Sequence, residues 1–142
     1  MDTITAFAAV GLTAVSWDET LTRAGIRSFR HALDYREPYC SMCENDIILL
    51  MDAILALRLE RGNKKLMLDA AKILTADQSL TAYAMASELM RSDGPYTAEE
   101  RRRLDVLALM LSISQPESKR IDDVFELLHA PVHSNQSIKT PA

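Results

Sequence analysis

The sequence predicts a single compact all-α domain of about seven helices, and three observations support this fold class. Apolar residues recur at three- and four-residue steps along most of the chain, as one face of a helix requires. Only 4 glycines and 5 prolines occur among 142 residues, and 48% of the residues are hydrophobic, a globular composition that favours helix. No segment shows the two-residue alternation of a half-buried strand.

The first half of the chain predicts three helices, over residues 5–16, 24–33 and 44–61. Residues 17–22 form a turn, residues 35–40 form a connector, and Ser41 with Glu44 fits a capping box at the start of the third helix. Segment 44–61 is apolar nearly all round, which is typical of a helix buried on every side. We therefore expect the central helix of the domain here, with Asp52 buried and either paired or neutral.

The second half of the chain predicts four more helices. Gly62-Asn63 ends the central helix and a further helix covers residues 64–74. Two helices then flank a turn at residues 92–95, with Thr97 and Glu100 as a capping box for the second of them. A last helix covers residues 114–128 with Ser114 and Glu117 at its start. We assign residues 1–130 to the domain and residues 131–142 to a flexible tail.

The turn between the two helices of the second half carries three carboxylates, on Asp93, Glu99 and Glu100. Together with its flanking helices, this turn resembles the C-terminal half of the tellurite-resistance TerB-like family, and the resemblance extends loosely over residues 5–130. The matching residues are Ala82, Asp93, Gly94, Glu99, Glu100 and Leu104. The resemblance implies a stress-response protein linked to tellurite resistance, which acts as a non-enzymatic interaction module.

A weak internal duplication relates the two ends of the domain. A shift of about 75 residues lays Asp18 on Asp93, Thr22 on Thr97, and Phe29 on Leu104. We therefore expect two pseudo-repeated helical hairpins packed around the central helix. The first copy departs from the family pattern, because Glu19 stands where the glycine of the turn would be.

Asp93, Glu100 and Asp18 are the candidate metal ligands. Carboxylate and carbonyl oxygens are what calcium and magnesium prefer, and clustered acids suspected of metal binding are associated with the resembled family. The sequence leaves a simpler interpretation open, in which Asp93 ends one helix and Glu100 only caps the next.

No residue pattern supports catalysis or an organic cofactor. Cys40 and Cys43 have C-x-x-C spacing, but a second pair for a zinc site is missing and so is the βαβ context of a thioredoxin-like site. We interpret this spacing as accidental. Two alternatives to an interaction module stay open: a small metal-dependent enzyme that uses His31 as a base, and a purely structural dimerisation module.

The charge and hydropathy patterns bear on location and partners. A formal net charge of -4 argues against nucleic acid as a partner. The apolar segment 4–15 is shorter than the ~20 residues that span a bilayer, and no basic residue precedes it as in a signal peptide. We expect a cytoplasmic protein with reduced cysteines, peripheral at the inner membrane if its protein partner is a membrane protein. A homodimer is an alternative.

Overall fold

The computed structural model of the chain describes residues 1–18, 20–91 and 95–133. Within these ranges the chain forms six α-helices, a 3₁₀ turn at Tyr39–Ser41, and no strand, so the all-α prediction is confirmed. The helices are α1 (Thr3–Val15), α2 (Arg23–Asp34), α3 (Glu44–Ile73), α4 (Ala76–Arg91), α5 (Ala98–Met110) and α6 (Gln115–Leu128). The count of seven is not confirmed, because the two helices predicted over 44–61 and 64–74 belong to the single element α3.

Gly62 breaks the axis of α3 near the position where the sequence predicts the helix to end. Its backbone angles are φ 79° and ψ 163°, while the residues on both sides continue as helix. A positive φ strongly favours glycine because it has no Cβ. The chain therefore kinks at Gly62 and resumes helix at once, and α3 consists of a first half before Gly62 and a second half after it.

Helix α1 forms the centre of the domain. All nine residues from Ala6 to Ala14 are buried, and α1 packs most extensively against α3 and α4. Most of these side chains are small, which lets the neighbouring helices approach closely. At Gly11 the approach is closest, because a Cβ there would lie 2.7 Å from Cε1 of Phe29 and 2.8 Å from Cε of Met85.

The prediction that segment 44–61 is the buried central helix is wrong. One side of it does enter the core, through Ile47, Leu50 and Ile54. The other side faces solvent, and Asp52 on that side is exposed instead of buried. The apolar pattern of a helix shows which of its sides can be buried. It does not show which of those sides the rest of the same chain covers.

Two of the three predicted capping pairs form, at Thr97–Glu100 and at Ser114–Glu117. The third, between Ser41 and Glu44, is wrong. The Glu44 carboxylate instead accepts hydrogen bonds from the Arg30 guanidinium, with 2.7 Å between Nη2 and Oε2. An ion pair to a neighbouring helix has replaced the local cap.

Helix α6 is attached to the domain by its polar side. Its buried residues are Ser118 and Asp122, whereas Val124, Leu127 and Leu128 are exposed. The helix ends at Leu128, shortly before the predicted tail, and residues 134–142 of that tail lie outside the described residues. The contacts that hold α6 in place therefore are hydrogen bonds and ion pairs more than apolar packing.

Candidate functional site

Two of the three predicted metal ligands lie at the same cavity. Asp18, from the turn after α1, and Glu100, from the first turn of α5, both line a cavity of about 230 Å³. Asp93 lies outside the described residues. The structure thus brings Asp18 and Glu100 to one cavity although they lie far apart in the chain.

Both acids already have hydrogen-bond partners in the backbone. Oδ1 of Asp18 accepts from the amide of Thr20 at 3.2 Å. Oε1 of Glu100 accepts from the amide of Thr97 at 3.0 Å, and Oγ1 of Thr97 accepts from the amide of Glu100 at 3.1 Å. The capping interpretation of Glu100 is therefore confirmed, and the second oxygen of each carboxylate has no hydrogen-bond partner among the described residues.

Arg103 lines the same cavity and changes its electrostatics. Its Nε lies 3.5 Å from Oε1 of Glu99, but the geometry does not make a hydrogen bond. A guanidinium beside two carboxylates opposes a divalent cation, and calcium takes roughly six to eight oxygen ligands. No cluster of three acids, histidines or cysteines able to hold a metal occurs in the described ranges. By themselves, the described donors do not fit a calcium site.

Thermal melts separate the cap from a cation site. Thr97→Ala should lower the free energy of unfolding by about 1 kcal/mol, whereas Glu100→Gln should change it little, because glutamine also accepts a hydrogen bond from the Thr97 amide.

If a cation binds, millimolar calcium or magnesium should raise the melting temperature of the wild type above its value in chelator. The double variant Asp93→Asn/Glu100→Gln is the control and should not respond. Identical melts of the wild type in both buffers would leave the cap as the whole role of Glu100.

The cysteine pair gives no sign of a metal or redox site. Cys40 and Cys43 are both free and exposed. The Cys40 thiol donates to Oε1 of Glu37 at 3.2 Å, and this hydrogen bond is the main cause that raises the pKa of Cys40. A raised pKa leaves less of the reactive thiolate at neutral pH.

A buried polar network, which the sequence did not predict, joins α4, α5 and α6 at Asp122. This carboxylate is 5% exposed. It accepts from Oη of Tyr83 at 3.0 Å, from Oγ of Ser87 at 3.2 Å and from Nη1 of Arg101 at 3.3 Å. Burial raises the pKa of Asp122, and the hydrogen bonds from Tyr83 and Ser87 partly offset this.

A second layer of the network surrounds the ring of Tyr96. The guanidinium carbons of Arg91 and Arg101 lie 5.4 and 4.9 Å from the ring centroid, within the range of cation–π attraction. Both arginines also pair with Glu126, at 3.3 and 3.5 Å. Arg91 is 3% exposed, and its Nε and Nη1 have no hydrogen-bond partner in the described part of the chain.

This network is organised to hold helices together. Burial and the nearby Asp122 carboxylate raise the pKa of Tyr83 well above its usual value of 10, and raise that of Tyr96 to about 12. Both phenols therefore stay neutral donors at physiological pH and supply no nucleophile. Ser87 on α4 and Arg101 on α5 both contact Asp122, so this carboxylate on α6 joins the three helices.

The outward side of the first half of α3 is an apolar surface with one charge near its centre. Its residues follow helical steps of four, three and four, with two further side chains beside them. Ile48 is 47% exposed, Leu49 65% and Leu59 89%. We call this surface the α3 face; it comprises Ile48, Leu49, Asp52, Leu55, Ala56 and Leu59.

Comparisons with protein-family models, with curated proteins and with solved structures found no match to this chain. The function therefore has to be inferred from the geometry of the chain and from the residues of its acidic turn.

Proposed function

We propose that this chain is a non-enzymatic interaction module of the TerB-like class, linked to tellurite resistance and stress response, which binds a protein partner through the α3 face. The α3 face is the observation that carries the proposal. A helix that is apolar all round is normally buried all round, yet this chain covers only one side of the first half of α3. A partner that covers the other side would remove its exposed leucines from water.

The single charge on the α3 face indicates the chemistry of the partner. Asp52 is exposed and forms no ion pair with any residue that the structure describes. A charge left unpaired inside an apolar interface is costly. We infer that the partner presents an amphipathic helix whose apolar stripe contains a lysine or arginine opposite Asp52.

A second copy of this chain is a poorer occupant of the α3 face. In a symmetric antiparallel pair centred between Ile48 and Leu59, the two Asp52 residues are offset by about 4.5 Å along the axis, given ~1.5 Å per residue. Two carboxylates would then face each other within one helical turn in an apolar interface, and like charges in such a position oppose association. A homodimer through the α3 face is therefore less favoured than a complex with a partner of opposite charge.

The proposed pseudo-repeat has support from helix bounds and from capping. A shift of 75 residues moves α2 (Arg23–Asp34) onto residues 98–109, which coincide with α5 apart from its last residue. Thr22 and Thr97 are both N-caps, and the hydroxyl of each accepts from the amide three residues later, at 3.0 and 3.1 Å. This agreement favours two related hairpins, packed around the interface of α1 and α4 instead of around segment 44–61.

A divalent cation at the acidic turn is a second candidate role. What favours it is that Asp18 and Glu100 line one cavity, each with a carboxylate oxygen to spare. The proposed place of action is the cytoplasm, at the inner membrane surface when the partner is a membrane protein. Of the helices that the structure describes, none is long and apolar enough to cross a membrane.

Site-specific photo-crosslinking in the source cell tests the α3 face. A crosslinking residue in place of Leu59 should yield one discrete adduct with a partner protein. The matched control places it at Leu109, which is also an exposed leucine (80%) but lies on α5. Equal yields at both positions, or adducts only at Leu109, would exclude the α3 face as the docking surface. An adduct of twice the mass of the chain would identify the homodimer.

Charge substitutions on the α3 face should change association without changing stability. We expect Leu59→Lys and Leu109→Lys each to alter the free energy of unfolding by less than about 0.5 kcal/mol, because both side chains are exposed. Only Leu59→Lys should abolish the crosslinked adduct, which is read out with the same crosslinking residue placed at Leu49.

Asp52→Leu should also leave the free energy of unfolding unchanged, but it should promote self-association in sedimentation because it removes the charge that opposes a symmetric pair. A monomeric Asp52→Leu variant would contradict this role of Asp52.

A further inference from the structure

A second surface feature, independent of the α3 face, is a cavity of about 340 Å³ between the end of α1, the second half of α3, and α5. Its walls are mainly apolar: Trp17, Met67, Val106 and Met110. Methionine side chains are flexible and adapt to different shapes. At about 30 Å³ for each water-sized group, the cavity has room for roughly eleven such groups, which is the size of a small organic molecule.

Thr13 gives this cavity a polar group with free hydrogen-bonding capacity. Thr13 is 2% exposed, and Oγ1 has no hydrogen-bond partner in the described part of the chain. Such buried polar atoms are rare and usually have a ligand or a water as partner. Asn63 at the same cavity differs, because its amide nitrogen donates to the carbonyl of Ser16 and its Oδ1 accepts from Nε of Arg58.

The charge of the cavity is positive. Lys64 is its charged lining residue, and no acid among the described residues lines it. Lys64 is exposed and forms no ion pair with another described residue. A cation beside an apolar cavity attracts an anion whose apolar body enters the cavity.

Two other cavities differ from this one in their polar groups. The cavity beside Tyr39 includes Arg36 together with Glu37 and Asp77. Its buried phenol, on Tyr39, already donates to the carbonyl of Ile4 at 2.6 Å. The cavity at Asp18 and Glu100 has two acids and one arginine, Arg103, in its lining. Thr13 and Lys64 therefore distinguish the cavity between α1, α3 and α5.

We propose that this cavity binds a small amphiphilic anion, such as a carboxylate with an unbranched or aromatic apolar body of about eight carbons. The apolar body lies among Trp17, Met67 and Met110. The oxygens of the anionic group accept hydrogen bonds from the Thr13 hydroxyl and the Lys64 ammonium. The ligand thereby satisfies the polar group that the protein leaves unpaired.

Trp17 provides a direct assay, because it is the only tryptophan in the chain and it lines the cavity. Octanoate is the probe, titrated into the full-length protein while Trp17 emission is recorded. We expect a saturable change with half-saturation on the order of 0.1–1 mM, the range that ten non-hydrogen atoms reach. Octanol and octylammonium should each bind at least about tenfold more weakly, since neither supplies an anion for Lys64. Equal binding of octylammonium, or no saturable change with octanoate, would overturn the proposal.

Three variants test the individual contacts. Lys64→Gln should weaken octanoate binding about three- to tenfold, because Lys64 is exposed and solvent screens its attraction for the anion. Lys72→Gln, which changes an exposed lysine on the same helix away from the cavity, should leave the binding unchanged. Thr13→Val should weaken binding to a similar degree but should maintain or raise the melting temperature, because it removes an unpaired buried hydroxyl. If the role of Thr13 were purely structural, weaker octanoate binding would not occur together with a maintained or raised melting temperature.

Filling the cavity should abolish binding. Val106→Phe adds volume at a residue that is 41% exposed, so we expect a folded variant that no longer responds to octanoate. Binding equal to the wild type in folded Val106→Phe would overturn the proposal. Should circular dichroism show that this variant is unfolded, Lys64→Glu serves instead. It lies at an exposed position, and unchanged octanoate affinity in that variant would equally overturn the proposal.

Discussion

Replacing Asp122 with leucine should lower the free energy of unfolding by about 3 kcal/mol, because it strands the donors of a buried carboxylate. The Tyr83 and Ser87 hydroxyls would lose their acceptor. Arg101 would lose less, since it is 45% exposed and still contacts Glu126. Chemical denaturation at neutral pH measures the change.

The neighbouring residue supplies the matched control. Asp123 is exposed and pairs with Lys119, also exposed, one turn away at 2.8 Å. Exposed pairs of this kind contribute little, so Asp123→Leu should change the free energy of unfolding by less than about 0.5 kcal/mol. Equal losses for Asp122→Leu and Asp123→Leu would show that the buried network does not hold α6 in place.

The same residue gives the stability a defined dependence on pH. The pKa of Asp122 is raised above its usual value of 3.8 in the folded protein, so between pH 3.8 and this raised pKa the folded state holds a proton that the unfolded chain has released. The contribution of Asp122 is therefore fully present below pH 3.8 and is lost as the pH rises through its raised pKa. Compared with Asp122→Asn, which cannot titrate, the wild type should lose stability over this interval. A constant difference between the two would contradict the raised pKa.

Gly11→Ala should destabilise the domain by about 2 kcal/mol, because α1 has no room for one more methyl group. The new Cβ would lie 2.7 Å from the ring of Phe29, which is fully buried and cannot move aside. Alanine is the better helix former by ~1 kcal/mol, so a net loss would show that packing outweighs propensity. Thermal and chemical denaturation measure the change.

Gly25→Ala, in the first turn of α2, is the matched control. There the nearest atom to a new Cβ is Oγ1 of Thr22 at 3.2 Å, and the next is 3.5 Å away. We expect a change in the free energy of unfolding of less than about 1 kcal/mol. If Gly11→Ala were tolerated as well as Gly25→Ala, α1 would not be the closely packed centre of the domain.

The sequence predicted the helices well because their signals are local. Thr97, with Glu100 three residues later, marks the start of α5 through hydrogen bonds within one turn. The environment of each helix was harder to predict. Segment 44–61 and α1 are both rich in apolar residues, and only the three-dimensional packing shows that the small residues of α1 take the centre while Leu49 and Leu59 remain at the surface.

In the candidate sites too, the sequence predicted some residues but not the neighbours that packing brings to them. The approximate repeat in the sequence led us to expect Asp18 near Glu100, and both line one cavity, but it gave no indication that Arg103 lines that cavity too. The network at Asp122 was missed because Tyr83 and Asp122 lie on different helices, 39 positions apart. The four-residue step from Tyr83 to Ser87 places both hydroxyls on one side of α4. That step is the only local signal, and it does not reveal the acceptor.

The kink at Gly62 also limits the length of any helix that docks on the α3 face. From Glu44 to Arg61 the helix runs straight for roughly 27 Å, or about five turns, before its axis changes direction. A partner segment of matching length, about 18 residues, is only slightly longer than the ~12–15 residues below which isolated helices are marginal in water even when rich in alanine. Such a helix would be stabilised before binding if a folded domain or membrane anchor of the partner presented it. Excised synthetic peptides would therefore greatly underestimate the affinity of the intact partner.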